Sequence, residues 1–317
     1  MTRILRLIVT RIALAVATLI AVSAVVFALA SLLPGNVAAQ ILGRSSTASQ
    51  RQAFEQQHGL DHPAVDRYFT WLGGVVHGDF GTSYETNQSV SALVGPSLAN
   101  TLELAGYALV ISLIFSAVAA IVGGVFRGRW PDTVVSTGTL AGLALPEFVL
   151  GPILIIVFAV DLSLFPALAI VPPGAGLAER LRVLTLPAVT VALTMSTYVI
   201  RMARETLIEV LDSEHVRSAL LRGLPRRRVV LRHGLLNALG PALNVIALNF
   251  TYLIGGLVVV ETVFSYPGIG TVLVNAISNQ DTPVVEAIVL IASAFYIAAN
   301  LIADILALLL NPKLRTG

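Results

Sequence analysis

The sequence predicts an all-α, polytopic membrane protein with six transmembrane helices, and three observations lead there. The 317 residues are 56% hydrophobic and only 12% charged, with a mean hydropathy of +0.84, well away from soluble globular chains. Six apolar runs are long enough to cross a bilayer. Of the twenty Lys and Arg residues, fifteen fall in the termini and the alternate connections that share a side with them, and five fall on the other side.

The N-terminus carries Arg3, Arg6 and Arg11, then no charge until Arg44. A secretory signal has an apolar core of only about 7–15 residues. Here the run continues to Leu33 before Pro34 and Gly35 end it, so residues 1–33 are read as the first span. A core over 99–317 supplies five more, at about 100–126, 133–160, 183–204, 240–264 and 284–310. In the third, Gly138, Gly142 and Gly151 allow close helix contact, and Pro146 and Pro152 free backbone carbonyls. The connection over 161–182 carries Pro166, Pro172 and Pro173 and reads as irregular. Six spans place both termini together, and the positive-inside rule makes that side cytoplasmic.

Residues 34–98 form a long polar segment with three arginines against Glu55, Asp61, Asp66, Asp79 and Glu85, so the segment faces outward. Asp61 is a candidate cap for a helix with Pro63 in its first turn, and Val65, Tyr68, Phe69 and Leu72 make its apolar stripe. Tyr68 and Trp71 suit a membrane–water interface. His58, His62 and His77 are weighed as a metal cluster, but no carboxylate pattern completes a site and no metal is assigned.

The second polar stretch, 201–241, holds eight arginines. Each costs about 3 kcal/mol at a bilayer centre, so together they would cost on the order of 24 kcal/mol there, and the stretch must lie in water or at headgroups. Inside it a short helix is marked at both ends. Asp212 or Ser213 caps its start and Glu214 sits in the first turn; Arg222, Gly223 and Pro225 end it. Val216, Ala219, Leu220 and Gly223 give it one small, apolar face. A lipid-binding interfacial helix has the same periodicity.

The chain has no cysteine, which excludes disulfides and thiolate chemistry. Its one lysine is Lys313, so no Gly-rich phosphate loop ending in Lys-Ser/Thr exists. No catalytic residue is assigned: Ser112, Ser116 and Ser196 have no histidine within any span to act as base. Glu103, Glu147, Glu261, Glu286 and Asp304 lie in or at the ends of spans and support a rival reading as a proton-coupled secondary transporter. Most sit within a turn or two of a span end, where water reaches them. Asn244, Asn249 and Thr251 form the most polar group inside the fifth span.

The order Glu214-His-Val-Arg-Ser-Ala219-Leu-Leu-Arg-Gly223-Leu-Pro, followed by a basic run and Asn237-Ala-Leu-Gly-Pro241, resembles the cytoplasmic "EAA" loop of ABC-importer permeases. It looks most like their dipeptide/oligopeptide/nickel branch. The segments Gly59–Pro63, Gly78–Ser83 and Glu261–Gly270 are similar to other signatures of that branch. Two departures are His215, where the family has an aromatic, and Gly240, where it has leucine. The resemblance implies a type I importer permease for dipeptides or oligopeptides, with nickel, glutathione or haem as alternative cargoes. It implies a coupling helix using Glu214, His215, Val216, Arg217, Ala219, Leu220, Gly223, Leu224 and Pro225. It implies a translocation path touching Glu147, Asn244, Asn249 and Thr251, and docking of a binding protein on Gly78, Asp79, Phe80, Gly81, Thr82 and Ser83. The implied partners are a second homologous permease, two ATPase subunits that hold ATP and Mg, an extracytoplasmic substrate-binding protein and membrane lipid, with no nucleic acid. No cofactor is expected in this chain, and its place is the bacterial inner membrane.

Overall fold

The computed structural model describes residues 2–31, 37–43, 45–221 and 255–310. These are helical with no extended strand among them; a single isolated bridge joins Thr82 to Ser89. In order, the helices are α1 (Thr2–Ser31), α2 (Val37–Ile41), α3 (Ala48–Gln57), α4 (Ala64–Val76), α5 (Val90–Val125), α6 (Trp130–Ala144), α7 (Glu147–Leu154), α8 (Leu177–Leu211) and α9 (Glu214–Leu221). Residues 255–263 are helical, and α10 (Ile269–Ser278) and α11 (Thr282–Leu310) follow. Four helices are long and apolar enough to cross a membrane, and a bent pair makes a fifth candidate. Most of the fifth expected span lies outside the described residues.

The third expected span is not one helix. It is α6 and α7, with a π-wound continuation over Ile155–Asp161, and the chain bends by 113° at the break. Pro146 has no N–H to continue the ladder, and it holds Leu145 in an extended conformation (φ −101°, ψ 109°). Two other expectations change. α5 begins ten residues before position 100 and α8 six before 183. α4 has Pro63, not Asp61, at its cap position, with no side-chain hydrogen bond there. The proline already removes one orphan donor and presets the helical φ. Upstream, Thr47 and Gln50 form a capping box at the start of α3, a Thr-x-x-Gln pattern present in the sequence.

The chain forms two compact units. The first comprises Met1–Thr101 with Pro267–Ala298. Its core joins Val90 and Val94 of α5 to Ile269 and Ala276 of α10 and to Val284, Ala287 and Ile288 of α11. α4 lies on α1 through Tyr68, whose hydroxyl shares a 2.9 Å hydrogen bond with Ser23 and whose ring packs edge-on to Phe27. The second unit comprises Leu102–Tyr266 with Ala299–Gly317. Its core is α5, α8 and the 255–266 segment, with Leu104, Ala108, Leu184, Val191, Val260 and Phe264 all buried.

Helix contact in the second unit depends on residues without side chains. A β-carbon on Gly124 of α5 would sit 2.8 Å from Leu207 of α8, and one on Gly142 of α6 would sit 2.6 Å from Thr197 of α8. Gly138 has nothing within 4 Å, so only one glycine of that pair makes the contact. Ser112 and Ser196 share a buried 3.0 Å hydrogen bond between α5 and α8. Near the start of α8, Arg180 grips Glu103 through two hydrogen bonds of 2.9 and 2.5 Å, which occupies one of the intramembrane acids.

Candidate functional site

At one end of the second unit, α8 passes into α9 through a two-residue turn. Asp212 closes α8 with its N–H directed to Ile208 and Val210. Ser213, not Asp212, is the N-cap: its Oγ accepts from the Val216 N–H at 3.4 Å while its hydroxyl donates to the Val210 carbonyl at 2.6 Å. Glu214 then opens α9, where the positive end of the helix dipole favours an acid. Val216 is buried and Leu221 is exposed. Eight residues span about 12 Å, far short of a bilayer. Gly223, Leu224 and Pro225 lie outside the described residues, as do the side chains of His215, Arg217, Ala219 and Leu220.

Beside this turn lies a charge cluster that no sequence motif announced. Asp132, in the first turn of α6, accepts from Arg204 of α8 (Nε at 2.7 Å, Nη2 at 2.6 Å). The other carboxylate oxygen accepts from the Gly128 N–H at 2.9 Å. Arg127 reaches Asp212 at 2.6 Å. The Phe126–Arg129 turn is thereby fastened both to α8 and to the residue that leads into α9. The Arg127–Asp212 pair is open to water and contributes little stability by itself; the Asp132–Arg204 pair is largely covered.

In the first unit the sequence-derived docking residues form a folded turn. Gly78 and Gly81 take φ of +82° and +87°, a conformation that glycine adopts without strain. The Asp79 carboxylate accepts from the Gly81 N–H at 2.9 Å. Ser83 is fully buried and donates to Asp281 at 2.5 Å, and the Tyr84 N–H donates to the other Asp281 oxygen at 2.9 Å. No local pattern marks Asp281, because its partners Ser83 and Tyr84 lie nearly two hundred residues away. His58 packs between Phe54 and Tyr84, with ring centroids 4.4 and 4.9 Å away. Burial lowers the His58 pKa, partly offset by Asp281. Burial also pushes the Tyr84 hydroxyl up to about 12, against the pull of Arg67. His77 hydrogen-bonds the Gly73 carbonyl at 2.8 Å.

Of the path residues, Asn244, Asn249 and Thr251 lie outside the described residues. Glu147 opens α7 directly after Pro146. Its carboxylate comes within 3.2 Å of the position a β-carbon would take on Gly256, so the missing side chain makes room for it against the 255–263 helix.

Residues 90–316 match the family described as binding-protein-dependent transport system inner membrane component, and residues 4–105 match a companion family for the N-terminal part of such membrane components. The chain is 34% identical over 298 residues to the glutathione transport system permease protein GsiC of Escherichia coli (strain K12), covering 94% of this chain and 95% of that one. The same protein from Shigella dysenteriae serotype 1 (strain Sd197) and from Salmonella choleraesuis (strain SC-B67) matches with the same identity and coverage. The chain therefore belongs to the binding-protein-dependent inner-membrane transport components, and it is the multi-span permease component of an ABC importer.

Proposed function

We propose that this permease imports dipeptides or oligopeptides, working with a second homologous permease, two ATPase subunits on the cytoplasmic side and an extracytoplasmic substrate-binding protein. The observation that carries the coupling role is α9, an eight-residue helix set directly on the end of the 35-residue α8, with Val216 buried and Glu214 at its start. Residues 214–225 are the contact with the ATPase, and ATP with its Mg stays on that partner. As ATP closes the ATPase dimer, α9 moves with it and the spans open outward to receive substrate. This chain makes and breaks no covalent bond. Glutathione is a second reading, favoured by the printed name of relatives that align over 94% of the chain. Uptake of labelled glycyl-leucine and labelled glutathione into vesicles loaded with ATP separates the two. Uptake of neither would overturn both.

The extracytoplasmic placement of 34–98, with both termini cytoplasmic, rests on the charge distribution. A periplasm-dependent reporter fused near Gly81 is expected to be active and one fused near Arg227 silent. The opposite pattern overturns the orientation and the coupling role with it.

Docking of the binding protein on Gly78–Ser83 is supported by the length and charge balance of the outer segment 34–98 and by the turn's anchoring on Asp281. Replacing these six residues by a neutral linker is expected to cut uptake at least tenfold while the ATPase subunits still co-purify. Unchanged stimulation of ATP hydrolysis by the binding protein in that variant would end the proposal.

A further inference from the structure

The first unit contains a cleft of about 570 Å³ between α1, α3, α4, the 79–84 turn and the start of α11. That size suits a small solute. Phe27, Trp71 and Tyr84 are among its walls. Glu286 of α11 also lines it and is only 4% exposed. Among the described residues its carboxylate takes part in no hydrogen bond and no ion pair. A carboxylate that opens onto a cleft without a protein partner is free to accept from a solute's donors.

Arg67 lines the same cleft. It is not in ion-pair contact with Glu286. The Arg67 guanidinium lies over the Phe27 ring, 5.7 Å from its centroid. Asp66 and Asp79 line the cleft too, so its lining offers carboxylates and one guanidinium, and a solute with a single charge leaves one kind unmatched. A solute carrying both charges satisfies both kinds.

We propose that this cleft binds a small zwitterion, an amino-acid or short-peptide solute, with its ammonium on Glu286 and its carboxylate on Arg67. The proposal rests on the reading of 34–98 as outward-facing. It deepens the import function by placing a solute subsite beside the turn assigned to binding-protein docking, since Asp79 to Thr82 line both.

The full chain carrying Trp130→Phe keeps Trp71 as its only tryptophan. In nanodiscs, glycyl-leucine is expected to change Trp71 emission saturably. N-acetylglycyl-leucine, without the ammonium, and glycyl-leucinamide, without the carboxylate, are each expected to bind at least tenfold more weakly. Glu286→Gln should weaken glycyl-leucine to the level of its acetylated form and abolish discrimination between the two. Arg67→Gln should do the same for the amidated form. Equal affinity for the three peptides in the unmutated site, or no saturable change, overturns the proposal even if a variant fails to fold. So does wild-type discrimination in a folded Glu286→Gln chain. Binding of glycyl-leucine without its transport would sink the peptide cargo and leave the cleft standing. Transport without this binding would do the reverse.

Discussion

Asp132→Ala is expected to destabilise the permease by about 3 kcal/mol and to reduce uptake at least tenfold. Removing one member of a covered ion pair leaves the other charge without compensation, and that residual charge is the larger part of the loss. Here the stranded group is Arg204, which gives Asp132 both its Nε and Nη2 hydrogen bonds. The Gly128 N–H loses its acceptor as well, which releases the Phe126–Arg129 turn. Asp132→Asn keeps the shape and one acceptor but no charge, so its effect should be intermediate. Thermal aggregation of the detergent-purified chain measures the stability, and vesicle uptake measures the function. Wild-type values for both in Asp132→Ala would show that the pair is incidental.

Gly223→Asp is expected to abolish transport while leaving the protein in the membrane at normal levels. α9 is described to Leu221, and the sequence places Gly223 just beyond it and Pro225 after that. This order of residues is that of a helix C-terminal cap, where a β-carbon brings strain. An aspartate also puts negative charge at the negative end of the helix dipole. If the ATPase rests on this small-residue face, the added side chain obstructs it too. The spans do not depend on this position, so insertion should persist while the ATPase subunits dissociate or idle. Co-purification of those subunits together with vesicle uptake decides the matter. Normal values for both would leave α9 as a lipid-surface helix.

What was legible in the sequence was what local chemistry encodes. Long apolar runs announced α1, α5, α8 and α11, because a span must be continuous in sequence to be continuous in lipid. Ser213 and Glu214 announced α9 for the same local reason. The bend at Leu145–Pro146 is half legible: a proline inside an apolar run marks a break, but no local pattern sets its 113° angle. The Asp132–Arg204 and Ser83–Asp281 contacts join residues 72 and 198 apart. No periodicity within either partner's own helix or turn carries that pairing. Asp61 and Pro63 both suit a helix start, and in the structure the proline takes the cap position.

The glycine contacts of the second unit have a mechanical consequence. With Gly124 against Leu207 and Gly142 against Thr197, α5 and α6 meet α8 at distances that leave no gap to be taken up. Packed interiors deform little and tend to move between discrete arrangements. α5, α6 and α8 then behave as one stiff strut. A push delivered through Ser213 would not be absorbed as helices sliding past one another. It would displace all three together, and the give required by a working cycle must lie at joints such as the Leu145–Pro146 bend.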